Sequence, residues 1–213
     1  MKRRHWGVDV GTRALHAVAI DDDGRLAGAV VVAPARVAEL VERVAGAPAV
    51  GVDAPDRWSL AHHAGDDRLP GKFRTARCGE IQLRHEFGYP VPWTTPVATG
   101  ARTGWMEVGF EVHAALRPVA GEVVEVFPHA AFLHLAGRRT LPAKASPAGA
   151  RVRADLLAAR LDVDAGELLL WSADALDALA AALTARDVAA GRSDVARCPD
   201  HPDDSAIHLP APS

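Results

Sequence analysis

A chain of 213 residues, 49% of them hydrophobic, is long enough to bury a sizeable core and too apolar to stay disordered. A net charge of −3 and a pI near 6.4 exclude the global basic field that many nucleic-acid-binding proteins carry. The two cysteines, Cys78 and Cys198, form no paired motif, the basic N-terminus lacks the apolar segment of a secretion signal, and no stretch reaches the apolar length of a membrane span. These features predict a soluble, cytoplasmic protein with no membrane partner.

In chain order, residues 5–11 (HWGVDVG) place Trp6, Val8 and Val10 on one face and Gly7, Asp9 and Gly11 on the other, the period of a strand. The runs ALHAVAI and LAGAVVV follow, joined by the turn DDDGR, so the first three strands form an antiparallel meander. Residues 35–45 form an amphipathic helix with Val37, Leu40, Val41 and Val44 as its stripe. AVGVDAP lacks alternation, as a strand buried on both faces does, and it ends in Asp53-Ala54-Pro55. Residues 54–104 read as a long irregular insertion rich in Arg, Pro and Gly, with a short helix over 74–87.

A helix follows over 105–116 and is stopped by Pro118. EVVEVF is a further strand. SPAGARVRADLLAARL opens on Ser-Pro, a cap followed by proline at the first helical position. The polar tail from Gly191 ends in AIHLP, read as a last edge strand. No repeat or linker divides the chain, which reads as one domain over 1–213.

The helix SADALDALAAALTA, residues 172–185, raises the functional question. Leu176, Leu179 and Leu183 form one stripe, while Asp174, Asp177, Ala178, Ala181 and Ala185 lie roughly opposite. Asp174 is accounted for by the positive end of the helix dipole after the Ser172 cap, but Asp177 lies beyond the reach of that effect. Alanines instead of Lys or Glu beside the acids imply a second packed surface. A carboxylate aimed into it needs a cation, donors or a metal.

Three antiparallel strands, a helix, a buried strand, a further strand and a late acidic helix match the order of the ribonuclease H-like fold, an α/β fold with a mixed five-stranded sheet flanked by helices. In that order the strand of Asp53 lies parallel to the strand of Asp9, and the late helix delivers Asp174 and Asp177. GVDVGT with DALDALAAAL resembles the first strand and last helix of RuvC-type Holliday junction resolvases. GVDVGT, GVDAP, FRTARCGEIQLR, GWMEVGFEVHAAL, EVFPHAAF, KASPAGARVR and DALDALAAALTA resemble, in order and over most of the chain, the DUF429 family of predicted ribonuclease H-like nucleases. At RCGE the chain departs from the family pattern, and only Arg77 carries over there.

The chemistry implied is metal-dependent phosphodiester hydrolysis. Two Mg2+ or Mn2+ ions would be held by Asp9, Asp53, Asp174 and Asp177, with Asp9 bridging, since hard dications prefer oxygen ligands. Glu125, mid-strand in EVVEVF, reads either as a fifth ligand or as an exposed glutamate. A helix over 74–87 would carry Arg74, Arg77 and Arg84 on one side, interleaved with aromatics through Trp93, as a surface for the phosphates and bases of a nucleic acid. The chain's general preference for Arg over Lys weakens that inference. The alternative is a non-catalytic module that binds nucleic acid or a protein. Actin-like ATPases, suggested by DVGT, need a second domain for which the chain is too short. Cys198 and His201, in CPDH, read as half a zinc site with no second half in view, and His62-His63 reads as an exposed loop.

Overall fold

The computed structural model describes residues 3–98, 104–202 and 204–212. The first three strands form as the alternation predicts: β1 (Arg4–Val10), β2 (Leu15–Asp21) and β3 (Leu26–Val32), paired antiparallel in sequence. The tight β2–β3 turn is held by Asp21, whose carboxylate accepts hydrogen bonds from the backbone N–H groups of Asp23 and Arg25, with Gly24 left-handed at φ +84°. β4 (Ala49–Asp53) lies parallel to β1, and β5 (Glu122–Val126) parallel to β4. In this register Asp9 faces Asp53 directly.

Among the described residues the sheet has seven strands, not five, in the order β3-β2-β1-β4-β5-β7-β6. Beyond the five are β7 (Ile207–Leu209), the strand read at AIHLP, and β6 (Asp194–Ala196), which has no counterpart in the sequence reading. At three residues each they are too short to show a period. The expected edge strand, β7, is interior: it runs parallel to β5 and antiparallel to β6, which forms the edge.

Helix α1 (Val37–Val44) follows a 3-10 turn at Pro34–Arg36. The helix expected over 74–87 is two helices, α2 (Gly71–Arg74) and α3 (Cys78–His85), because the chain turns at Thr75–Arg77. Then come α4 (Gly104–Leu116), α5 (Pro128–Ala136), α6 (Pro147–Ala158), α7 (Ala165–Leu168) and α8 (Ala173–Ala189). The Ser146 and Ser172 hydroxyls cap α6 and α8 by accepting from Gly149 N–H and Ala175 N–H. Helix α5 lay unread in the sequence. It is almost entirely buried, so it has no polar face to set a helical period, although Pro128 at its start and Gly137 (φ +59°) at its end are usual signals.

Helix α8 positions the site. Every residue from Leu176 to Val188 is buried. Its leucines join Val18, Ile20, Phe132 and Leu157 in one core cluster. Its alanine face rests on the sheet where β1 and β4 carry glycine. A Cβ on Gly7 would overlap the Ala178 carbonyl oxygen and the Ala182 nitrogen, and one on Gly51 would come within 2.5 Å of the Ala181 carbonyl oxygen. The far end of the helix is pinned by Asp187, fully buried, which is 3.2 Å from Arg160 and 3.0 Å from Arg192 and also accepts the Ala211 N–H at 3.0 Å. Among the described residues, no helix is long and apolar enough to cross a membrane.

Gly7→Ala therefore forces helix and sheet apart. Overpacking of this kind costs about 1–3 kcal/mol, at about 2–4 °C per kcal/mol for a chain of this size. Thermal melts should show that loss for Gly7→Ala and almost none for Gly65→Ala, where a Cβ meets nothing within 4 Å. Equal melting temperatures for the two variants would rule out the tight contact.

Candidate metal centre and active site

Three of the four acids expected from the sequence meet. Asp9 projects from β1, Asp53 from the end of β4 and Asp177 from the second turn of α8, and one carboxylate oxygen of each lies within 4.8 Å of the others. The Asp9 and Asp53 side chains hydrogen-bond to each other. Burial, followed by the negative charges of Asp177 and Asp174, pushes the Asp9 carboxyl up to about 7. Burial and the Asp9 charge likewise hold Asp53 well above the usual carboxylate range. Asp177 is also raised by burial, against the opposing pull of Lys144.

Asp174 stands apart from the three. Its side chain is half exposed, 3.7 Å from the Lys144 ammonium and 4.0 Å from His16 Nε2. A spacing of three residues puts both acids on one side of α8, but only the second faces the sheet.

Lys144, to which the sequence reading gave no role, sits among these carboxylates, with Nζ 2.9 Å from Asp177 Oδ2. Partial burial works against its charge, yet Asp177, Asp174 and Asp9 together raise its pKa. Three clustered carboxylates that draw in an ammonium, and share protons where it does not reach, form a donor set of hard oxygens with surplus negative charge. That set fits Mg2+ or Mn2+. Asp53 and Asp177 open into a cavity of about 730 Å³ that is also lined by Lys144, His129, Trp93 and Trp105. The two tryptophan rings meet edge to face with centroids 4.3 Å apart. Burial, with the Arg153 charge, lowers the His129 pKa, against the pull of Asp177.

The three arginines do not share a helix face. Arg74 pairs with Asp67 at 3.0 Å, and Arg84 is exposed on α3. Arg77 is 1% exposed, at the turn before α3. Its guanidinium donates to both Glu125 oxygens, at 2.6 and 2.5 Å, and to Glu80 Oε1 at 3.0 Å. Glu80 in turn accepts from the Thr95 N–H and hydroxyl. Glu125 is therefore neither a fifth metal ligand nor an exposed glutamate: it is the buried counter-ion of Arg77. Burial still pushes its carboxyl up to about 7, against the guanidinium.

A family model described as "Protein of unknown function (DUF429)" matches residues 7–204 of the 213. The chain belongs to the DUF429 family. No curated protein and no solved structure matches it. The span matched to DUF429 runs from the glycine that seats α8, through Asp9, Asp53, Arg77, Glu125, Lys144 and Asp177, to the turn before β7.

Two outcomes follow. Arg77→Met leaves Glu125 buried without a partner and should cost about 3–5 kcal/mol in urea denaturation, whereas adding Glu125→Met should recover part of that loss. If the double variant is as unstable as the two single losses added together, the pair is not coupled. The second outcome concerns pH. The folded state holds a proton on Asp9 up to about 7, but an ordinary aspartate releases it near 3.8. The folded state thus binds more protons between these values, and its stability falls as pH rises through them. In chelator, wild type should lose more melting temperature from pH 4.5 to 8 than Asp9→Asn does, and parallel curves would contradict the shift.

Proposed function

We propose that this protein is a metal-dependent phosphodiesterase of ribonuclease H-like type, acting on a nucleic acid or a nucleotide. The observation that carries the reading is the convergence of Asp9, Asp53 and Asp177, from three distant segments, on one point at the wall of a cavity. The strand order β3-β2-β1-β4-β5, with α8 crossing the sheet, adds support, because it follows that fold through its five core strands.

Asp9, Asp53 and Asp177 would hold the metal, with Asp174 at the rim. Bound Mg2+ or Mn2+ would supply an activated water and offset the charge of the phosphodiester. Asp9 and Asp53 would bind the cation ionised, so the proton between them would pass to solvent. Lys144, no longer needed by Asp177, is placed to meet a phosphate oxygen. His129 is the imidazole that lines the cavity and the group placed to take or return a proton. Trp93 and Trp105 offer faces on which a base can stack. Arg84, exposed, is a candidate phosphate contact; Arg77 acts instead by holding Glu125 in the cavity wall.

The test is a panel of single-stranded, double-stranded, hybrid and branched nucleic acids, together with a small phosphodiester, assayed with Mn2+ and with Mg2+. Asp9→Asn and Asp177→Asn should each lower the rate by at least roughly 10²-fold, because a neutral amide cannot offset a dication. Asp9→Asn should melt no lower than wild type in chelator, because it removes a buried, repelled carboxyl. Asp174→Asn should retain most of the activity. If wild type cleaves nothing, or Asp9→Asn cleaves as well as wild type, the protein is a binding module for nucleic acid or protein.

A further inference from the structure

A second cluster lies apart from the acids and is built from three separate segments. His63 comes from the loop after β4, Cys78 opens α3, and Cys198 follows β6. His63 Nε2 lies 3.3 Å from Cys78 Sγ and 3.5 Å from Cys198 Sγ, and the three atoms are all within 4.8 Å of one another. Both cysteines are buried and His63 is half-buried. The second half that CPDH lacks in the sequence is thus supplied by the fold, and His63 is not the exposed loop residue expected.

The spacing is that of a coordination site. With a metal–nitrogen bond of about 2.0–2.1 Å and a metal–sulfur bond of about 2.3 Å, a tetrahedral zinc ion sets ligand N and S about 3.6 Å apart. One imidazole nitrogen has either one proton or one lone pair, so it cannot satisfy two thiols; a dication satisfies all three groups. His201 has the Cys-x-x-His spacing to Cys198. Its ring meets the His63 ring edge to face, with centroids 5.3 Å apart.

We propose that Cys78, Cys198 and His63 bind a zinc-class transition-metal ion, with His201 as the fourth ligand. The ion acts as a structural clamp. The β6–β7 connection already docks on the start of α3, where Asp204 accepts the Cys78 N–H and the Ser205 hydroxyl accepts the Gly79 N–H. Coordination fixes this junction one residue from Arg77, and so fixes the wall that holds Glu125. The site takes a thiophilic ion and the aspartates take a hard one, so the two centres are independent.

The experiment uses untagged full-length protein, purified with reductant and without chelator. Elemental analysis should find about one zinc per chain, as expected of a closed Cys/His set. Asp9→Asn should keep the zinc and Cys78→Ser/Cys198→Ser should lose it. Co2+ alone, added to chelator-stripped wild type, should give thiolate charge-transfer bands and the intense visible bands of a tetrahedral site, which excess Mg2+ does not displace. This measurement stands even if the cysteine variants fold poorly. His201→Ala should keep the charge-transfer bands and change the visible ones; unchanged visible bands would remove His201 from the site. Wild type with neither zinc nor a Co2+ spectrum overturns the proposal. So does zinc retained by the double cysteine variant, or an intact mass 2 Da low from a Cys78–Cys198 disulfide.

Discussion

The close seating of α8 on Gly7 and Gly51 is the contact on which the rest depends. Helices and sheets ordinarily pack at a distance set by their side chains, and there a short carboxylate on α8 could not reach one on β1. Here the helix presents Ala178, Ala181 and Ala182, and the sheet presents no side chain at all, so backbone meets backbone. The few ångströms gained bring Asp177 within reach of Asp9 and Asp53. The same closeness buries the acids and raises their proton affinity. Packing and electrostatics at the aspartates both follow from this contact.

Such a cluster is unfavourable in the folded chain, since burial and mutual repulsion both disfavour its charged form. The structure compensates elsewhere. Asp187 at the other end of α8 is surrounded by arginines, and Arg77 satisfies two glutamates in the wall of the cavity. In both places the carboxylates have guanidinium partners within hydrogen-bond distance. The Asp9–Asp53–Asp177 group is open: Lys144, the cation ion-paired to it among the described residues, is half exposed and reaches Asp177. Where a protein matches its buried charges in two places and leaves a surplus in a third, the third is where a ligand is expected.

The sequence made legible what depends on local period and capping. The first five strands, α1, α4, α6 and α8 follow from alternation, stripes and serine caps. Asp9, Asp53 and Asp177 stood out because acids in apolar strands and on an alanine face are locally costly. The rest depended on partners far away in the chain. Arg77 reads as a surface arginine until Glu125, 48 residues on, is known to lie beside it. Lys144 precedes its helix in a polar loop and gives no signal before α8 is placed. AIHLP marks β7, but its parallel pairing with β5 is not local, and β6 is a strand only because it pairs with β7. His63, Cys78 and Cys198 have no spacing in common, and only the fold makes them neighbours.

One argument joins the two centres. The aspartates are held by rigid elements, β1, β4 and α8, so their geometry is fixed by the core and tolerates the repulsion of an unliganded state. The opposite wall of the cavity draws on residues 54–98, where the two helices are short. Its backbone hydrogen bonds are mostly local turns, so its place against the sheet depends on side-chain ties. The Arg77–Glu125–Glu80 network is one tie, from α3 to β5. The Cys78–Cys198–His63 cluster is another, from α3 to the β6–β7 connection. Both act at the first turn of α3, so the shape of the cavity opposite the aspartates depends on how that single turn is held.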